Sequence, residues 1–184
     1  MKTRLLFLLC LFSLTDLMAQ GLYVPGTVTK GKNATYYCQA DNKFVLKVSN
    51  IKNIDTTYTM YYIDGTVVPS EIELSGTINT QENDLFQVFR EILTSEEWNI
   101  LKSKNTYSLG LRVIADNEGN TQGIIFLIRN TDPVMTKLDP DRLYQLEQKL
   151  KKVLKMTPSK SDRSIRNIKY IQSINYRKMN QVIP

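Results

Sequence analysis

The spacing of apolar residues changes period along this chain, and that change limits the folds open to it. Strand-like runs come first: Tyr36-Tyr37-Cys38, Phe44-Val45-Leu46-Lys47-Val48 and Tyr58-Thr59-Met60-Tyr61-Tyr62-Ile63 are β-branched and aromatic stretches separated by Asp, Asn and Lys clusters. From Leu85 the period lengthens, and Leu85, Phe86, Val88, Phe89, Ile92 and Leu93 fall on one stripe of a helix. Thr94-Ser95-Glu96-Glu97 is a capping box that opens a second short helix through Trp98, Ile100 and Leu101. Alternation returns at Tyr107 to Ala115 as a half-buried strand, turns through Asp116-Asn117-Glu118-Gly119-Asn120 and runs back through Gly123 to Ile128. Leu138-Asp139-Pro140 then opens the longest helix, with aspartate at the cap and proline at the first helical position. Leu143, Leu146, Leu150, Val153 and Leu154 mark its buried face, Pro158 and Ser159 close it, and Ile168 to Tyr176 forms a last strand.

This order predicts an α+β fold: an antiparallel sheet with helices packed on one face. It predicts one domain over residues 35–184, with a β-rich part at 35–80, a helix-helix-hairpin-helix-strand part at 81–176 and a tail at 177–184. Residues 21–34, with Pro25, Gly26 and Gly31 and no apolar period, read as a flexible lead-in. Asp64-Gly65 predicts a two-residue hairpin with positive φ at both positions. Ile72, Leu74 and Ile78 predict a further strand with Glu71 and Glu73 on its opposite face, and Asn83 or Asp84 is the expected cap of the first helix.

The N-terminus has a basic start at Lys2 and Arg4, the apolar run Leu5 to Phe12, and a polar end at Met18-Ala19-Gln20-Gly21. That is the layout of a secretory signal peptide cleaved after Ala19 or Gln20, with an apolar core shorter than the roughly 20 residues a bilayer span needs. The expected product is secreted or periplasmic and has no transmembrane span. Cleavage leaves Cys38 as the remaining one of two cysteines, so no internal disulfide is expected, and Cys38 reads as a small buried residue.

The chain contains no histidine, which excludes His-based acid–base chemistry, Ser-His-Asp and Cys-His triads, and the usual zinc and haem ligand sets. No catalytic, cofactor or metal residues are assigned. An enzyme reading would rest on Glu71 and Glu73 as the acid and base of a glycan-directed hydrolase. Charge is distributed unevenly. From Lys149 to Pro184 there are ten basic residues against one acid, Asp162, whereas residues 20–148 carry an acidic excess. The basic end points to an acidic protein or peptide partner, or to an anionic surface; nucleic acid is set aside because no recognised binding module is present. The candidate partner-binding residues are Lys169, Tyr170, Tyr176, Arg177 and Lys178, on or just beyond the last strand. A purely structural module of an envelope assembly is the third class considered.

Phe86 to Leu93, Thr94 to Trp98, Arg112 to Asn120 and the helix from Leu138 to Leu154 together resemble a small secreted domain of unknown function from Bacteroides-type gut bacteria. The hairpin with its acidic-Gly turn and the Leu-Asp-capped helix also resemble, over residues 107–176, the C-terminal domain of the TonB energy-coupling protein. The chain departs from that second pattern in its cleavable signal, its lack of a proline-rich spacer and its added β-rich half. That resemblance implies a compact sheet that takes an extended peptide at one edge. Neither resemblance implies a catalytic residue.

Overall fold

The computed structural model describes residues 21–53, 59–104 and 106–181. The expected signal segment, Tyr58 of the third strand-like run, and residues beyond 181 lie outside them. In chain order the elements are β1 (Val28–Lys30), β2 (Thr35–Asn42), β3 (Val45–Asn50), β4 (Thr77–Ile78), α1 (Glu82–Ile92), α2 (Ser95–Ser103), β5 (Ser108–Ala115), β6 (Thr121–Arg129), α3 (Pro140–Val153), β7 (Met156–Thr157) and β8 (Ile168–Asn175). Short 3₁₀ turns precede α3 and β8 and follow β8 at Tyr176–Gln181.

Six strands form one sheet in the order β1-β2-β3-β6-β5-β8, with every neighbouring pair antiparallel. The fold is α+β, as the order of periods predicts. Alternate residues of the sheet (Tyr36, Cys38, Leu46, Val48, Leu109, Leu111, Val113, Ile124, Phe126, Ile128) share one core with Leu85 and Phe89 of α1, Leu101 of α2, and Leu143, Leu146 and Leu150 of α3. The sequence expectation of a half-buried β5 is corrected. Arg112, Ile114 and Ile125 are buried on the opposite face as well, and Asn53 donates Nδ2 to the Ile124 carbonyl at 2.9 Å across Gly123. Two-sided burial explains the unbroken run Ile124-Ile125-Phe126 in β6, the signature of a strand covered above and below.

The turn at Asp64-Gly65 departs from the two-residue expectation. At Asp64-Gly65 only Gly65 has positive φ, +89°, and Tyr62 N–H bonds the Thr66 carbonyl across a three-residue loop. The β5–β6 connection has the same construction, with Gly119 at φ +93° and Asp116 N–H bonded to the Asn120 carbonyl. Both are type I turns followed by one left-handed residue, in which a single glycine carries the positive φ and the preceding aspartate caps the loop. The strand expected at Tyr58–Ile63 is reduced within the described residues to isolated bridges, Tyr61 to Val67 and Tyr62 to Ile165. Glu71 and Glu73 lie in irregular chain, and the strand expected there shrinks to β4, paired with β7.

Two further corrections concern the ends of the domain. Residues 21–34 are packed: Tyr23 is buried and donates its hydroxyl to the Leu138 carbonyl at 2.9 Å, Leu22 N–H bonds the Thr136 carbonyl, and β1 pairs with β2. The lead-in seals the end of the core, where one tyrosine outweighs a low apolar density. The expected tail likewise begins as the turn Tyr176–Gln181, with Met179 fully buried.

Helix ends follow local chemistry closely. Thr94 accepts from Glu97 N–H while Glu97 accepts from Thr94 N–H, completing the capping box, and Asp139 accepts from Asp141 and Arg142 N–H. Helix α1 starts at Gln81 without a side-chain cap, in place of the Asn83 or Asp84 cap expected. Helix α3 ends at Val153, short of Pro158, where the Thr80 hydroxyl donates to the Val153 carbonyl and accepts from Lys155 N–H.

Arg142 ties the three helices together. Its guanidinium makes a bidentate pair with Glu97 and donates to the Ile92 carbonyl at 2.7 Å, at the end of α1. The paired arginine holds the Glu97 carboxyl down at about 2, against an ordinary value of 4.5. A lowered carboxyl stabilises fully above its unfolded value and loses that contribution as it protonates in the folded state. Stability should therefore fall between about pH 4.5 and 2 by about 1–2 kcal/mol from this residue, given that a quarter of the side chain is exposed. Urea unfolding across that range should show this drop in the native chain and its absence in Glu97→Gln.

Candidate functional site

Strand β8 is the last strand of the sheet, with β5 on one side and no strand of the sheet on the other. Its ladder with β5 runs without a register shift from Ser108–Asn175 to Ala115–Ile168. Tyr176 N–H bonds the Tyr107 carbonyl, which sets the phase of the ladder. By the antiparallel alternation, Ile168, Tyr170, Gln172 and Ile174 direct their backbone groups at β5, and Lys169, Ile171, Ser173 and Asn175 direct theirs outward. Gln172 Nε2 reaches round to donate to the Ser173 carbonyl at 2.9 Å, consistent with that carbonyl standing on the open side. Ile171, at the middle of this edge, is 69 % exposed, more than any other large apolar side chain among the described residues.

The residues singled out from sequence divide into two groups. Tyr170 and Tyr176 are core residues: Tyr170 donates its hydroxyl to Asp162 at 3.3 Å, and Tyr176, fully buried, donates to Asp132 at 2.9 Å. Burial and the adjacent carboxylate push the Tyr170 phenol up to about 12 and the Tyr176 phenol well above its ordinary value, so both remain protonated donors. The signal was present in the sequence, since Ile168, Tyr170, Ile174 and Tyr176 share one parity and so one face of the strand. Lys169 is half-buried and donates Nζ to the Thr59 carbonyl at 2.7 Å. Lys178 pairs with Glu82 at 2.6 Å, and Arg177 is exposed with no carboxylate partner among the described residues.

The acid in this basic stretch, Asp162, is buried and turned inward. Burial works to raise its pKa, yet hydrogen bonds from Gly76 N–H and Ser159 N–H outweigh burial and hold it down. From Lys160 to Lys178 the exposed charges are therefore cationic, with Arg163 and Arg166 at one end of the β8 edge and Arg177 at the other. Glu71 and Glu73 are exposed on irregular chain. Among the described residues, no three Cys, Asp or Glu side chains converge on a metal position. Along this edge the chain presents an open row of backbone groups, one exposed apolar side chain and flanking guanidinium groups.

No protein-family model and no curated protein matches the chain by sequence. By structure it is similar to a DUF5043 family protein from Bacteroides uniformis solved by crystallography, with a TM-score of 0.66 and 16% identity over 84% of this chain and 88% of that one. The likeness shows a shared fold with a domain of unknown function from Bacteroides.

Proposed function

We propose that this protein is an exported, non-enzymatic binding protein that adds an extended, acidic segment of an envelope partner to its sheet along β8. The single observation carrying the reading is the open edge from Ile171 to Asn175, an uninterrupted ladder template with the exposed cations Arg166 and Arg177 near its ends. Main-chain hydrogen bonds would supply affinity, Ile171 an apolar contact, and Arg166 and Arg177 the preference for acidic sequence. The TonB-like pattern over residues 107–176 supports the same mode of recognition, and the N-terminal signal pattern supports export. Charge argues against a second copy as the occupant. Two β8 strands paired antiparallel about their middle would set Arg166 of one chain near Arg177 of the other, and like charges directly opposed are destabilising.

The test uses residues 21–184 and a synthetic peptide of alternating glutamate and valine, followed by fluorescence anisotropy at low and high salt. The expected result is saturable binding that weakens with salt, and no binding of the lysine–valine counterpart. Ile171→Pro removes an outward N–H while sparing the ladder to β5, so it should abolish binding with little change in the melting temperature. Arg166→Glu with Arg177→Glu should weaken binding about tenfold or more. Unchanged affinity in Ile171→Pro would overturn the edge reading.

A further inference from the structure

Across one end of the sheet, neighbouring strands each bring up a cation or an aromatic ring. On the β2–β3 turn, Lys43 Nζ lies 4.8 Å from the centroid of the Phe44 ring, which is 59 % exposed. Asn130 N–H bonds the Phe44 carbonyl and Asn130 Nδ2 bonds the Lys43 carbonyl, so the turn is fastened to the end of β6. There Arg129 stacks its guanidinium 4.9 Å from the centroid of Tyr107 at the start of β5. Tyr107 N–H bonds the Lys104 carbonyl, and Tyr176 N–H bonds the Tyr107 carbonyl, which brings the chain at Lys104 and at Tyr176–Arg177 to the start of β5. No ion pair joins Lys43, Lys104, Arg129 or Arg177 to a carboxylate among the described residues. Asp41 is the one exposed acid in the chain segments that build this band.

We propose that this end of the sheet binds a linear anionic polysaccharide, with its carboxylate or sulfate groups taken by Arg129 and Arg177 and a sugar ring laid on the open face of Phe44. Two features select that ligand class. Stacking on Tyr107 restricts the rotamers of Arg129, so its planar fork meets a carboxylate or sulfate with less ordering cost. The cations also occupy one face of each aromatic ring, leaving too few free faces for the successive base stacking by which single-stranded nucleic acid is held.

The test is calorimetric titration of residues 21–184 with oligogalacturonate and with dextran sulfate, using neutral dextran and a thymidine oligonucleotide for comparison. At least one charged polysaccharide should bind with an affinity that falls steeply with salt, and neutral dextran should not bind. The Lys43→Ala, Arg129→Ala double variant should weaken binding at least about tenfold with an unchanged melting temperature, and Ile171→Pro should leave it intact. That last comparison separates this surface from the β8 edge, so either can fail alone. The proposal is overturned if neither charged polysaccharide binds at low salt, if the double variant binds as the native chain does, or if the oligonucleotide binds more tightly than both.

Discussion

Replacing Glu147 by alanine should lower the stability of the domain by about 3–5 kcal/mol, read from urea unfolding as a fall in the midpoint with little change in slope. Glu147 projects from α3 into the core and is fully buried. Its Oε2 accepts from the Tyr36 hydroxyl at 2.7 Å and from Asn50 Nδ2 at 3.2 Å. Tyr36 and Asn50 are register partners on β2 and β3, so a single carboxylate locks the helix to an adjacent cross-strand pair. Lys151 Nζ stands 3.0 Å from Oε1 without the alignment of a hydrogen bond, and supplies charge from the edge of the core. Burial and Glu147 together push the Tyr36 phenol far above its ordinary value, so the phenol stays a donor.

Removing the acid leaves two buried donors unsatisfied and a cation partly desolvated, which is why the loss exceeds the value of any one bond. Removing donor and acceptor together should cost less than their separate costs imply. Glu147→Leu combined with Tyr36→Phe should recover about 1 kcal/mol or more relative to the sum of the two single variants. A loss below about 1 kcal/mol in Glu147→Ala, or strict additivity in the double variant, would show that the cluster does not act as a unit.

Asp162→Ala should cost about 2–3 kcal/mol and should also loosen the chain around it. Its Oδ2 accepts from Gly76 N–H at 2.6 Å, Ser159 N–H at 3.3 Å and the Tyr170 hydroxyl at 3.3 Å, joining the approach to β4, the entry to the 3₁₀ turn and strand β8. Gly76 has no side chain because a Cβ there would collide with the Tyr170 hydroxyl and the Asp162 carboxylate. Hydrogen exchange should accelerate at Gly76 and Ser159 in the variant while the β5–β6 ladder keeps its protection; uniform acceleration across the sheet would count against a local pin. Asp162→Asn, which keeps the shape but loses a charged acceptor, should fall between the two.

These pins share one form. Tyr36 with Glu147, Tyr170 with Asp162 and Tyr176 with Asp132 each join a buried phenol to a carboxylate, across 111, 8 and 44 residues of sequence respectively. They were not legible in the sequence because partners such as Tyr36 and Glu147 are separated by 111 residues, and local pattern carries no information about which acid a tyrosine meets. The same limit explains Asp162. Counted along the chain it offsets the basic C-terminal stretch by one charge, but its carboxylate points inward, so the surface there is more cationic than the sequence count implies.

What sequence alone determined here is whatever depends on near neighbours. The stripe from Leu85 to Ile92, the Thr94–Glu97 capping box, the Asp139-Pro140 helix start and the turn ahead of Gly119 all appear where their residues place them, because helix caps, helical faces and tight turns are settled within a few residues. Tertiary structure decided the order β1-β2-β3-β6-β5-β8, which leaves β8 at the edge, and the covering of both faces of β5 and β6. It also decided that residues 21–34 are packed while residues 71–76 lack strand structure, in spite of their alternation. A strand is stabilised only by a partner that the rest of the chain brings alongside, and a buried charge only by donors arriving from elsewhere, so these outcomes follow from the assembled fold and not from any window of sequence.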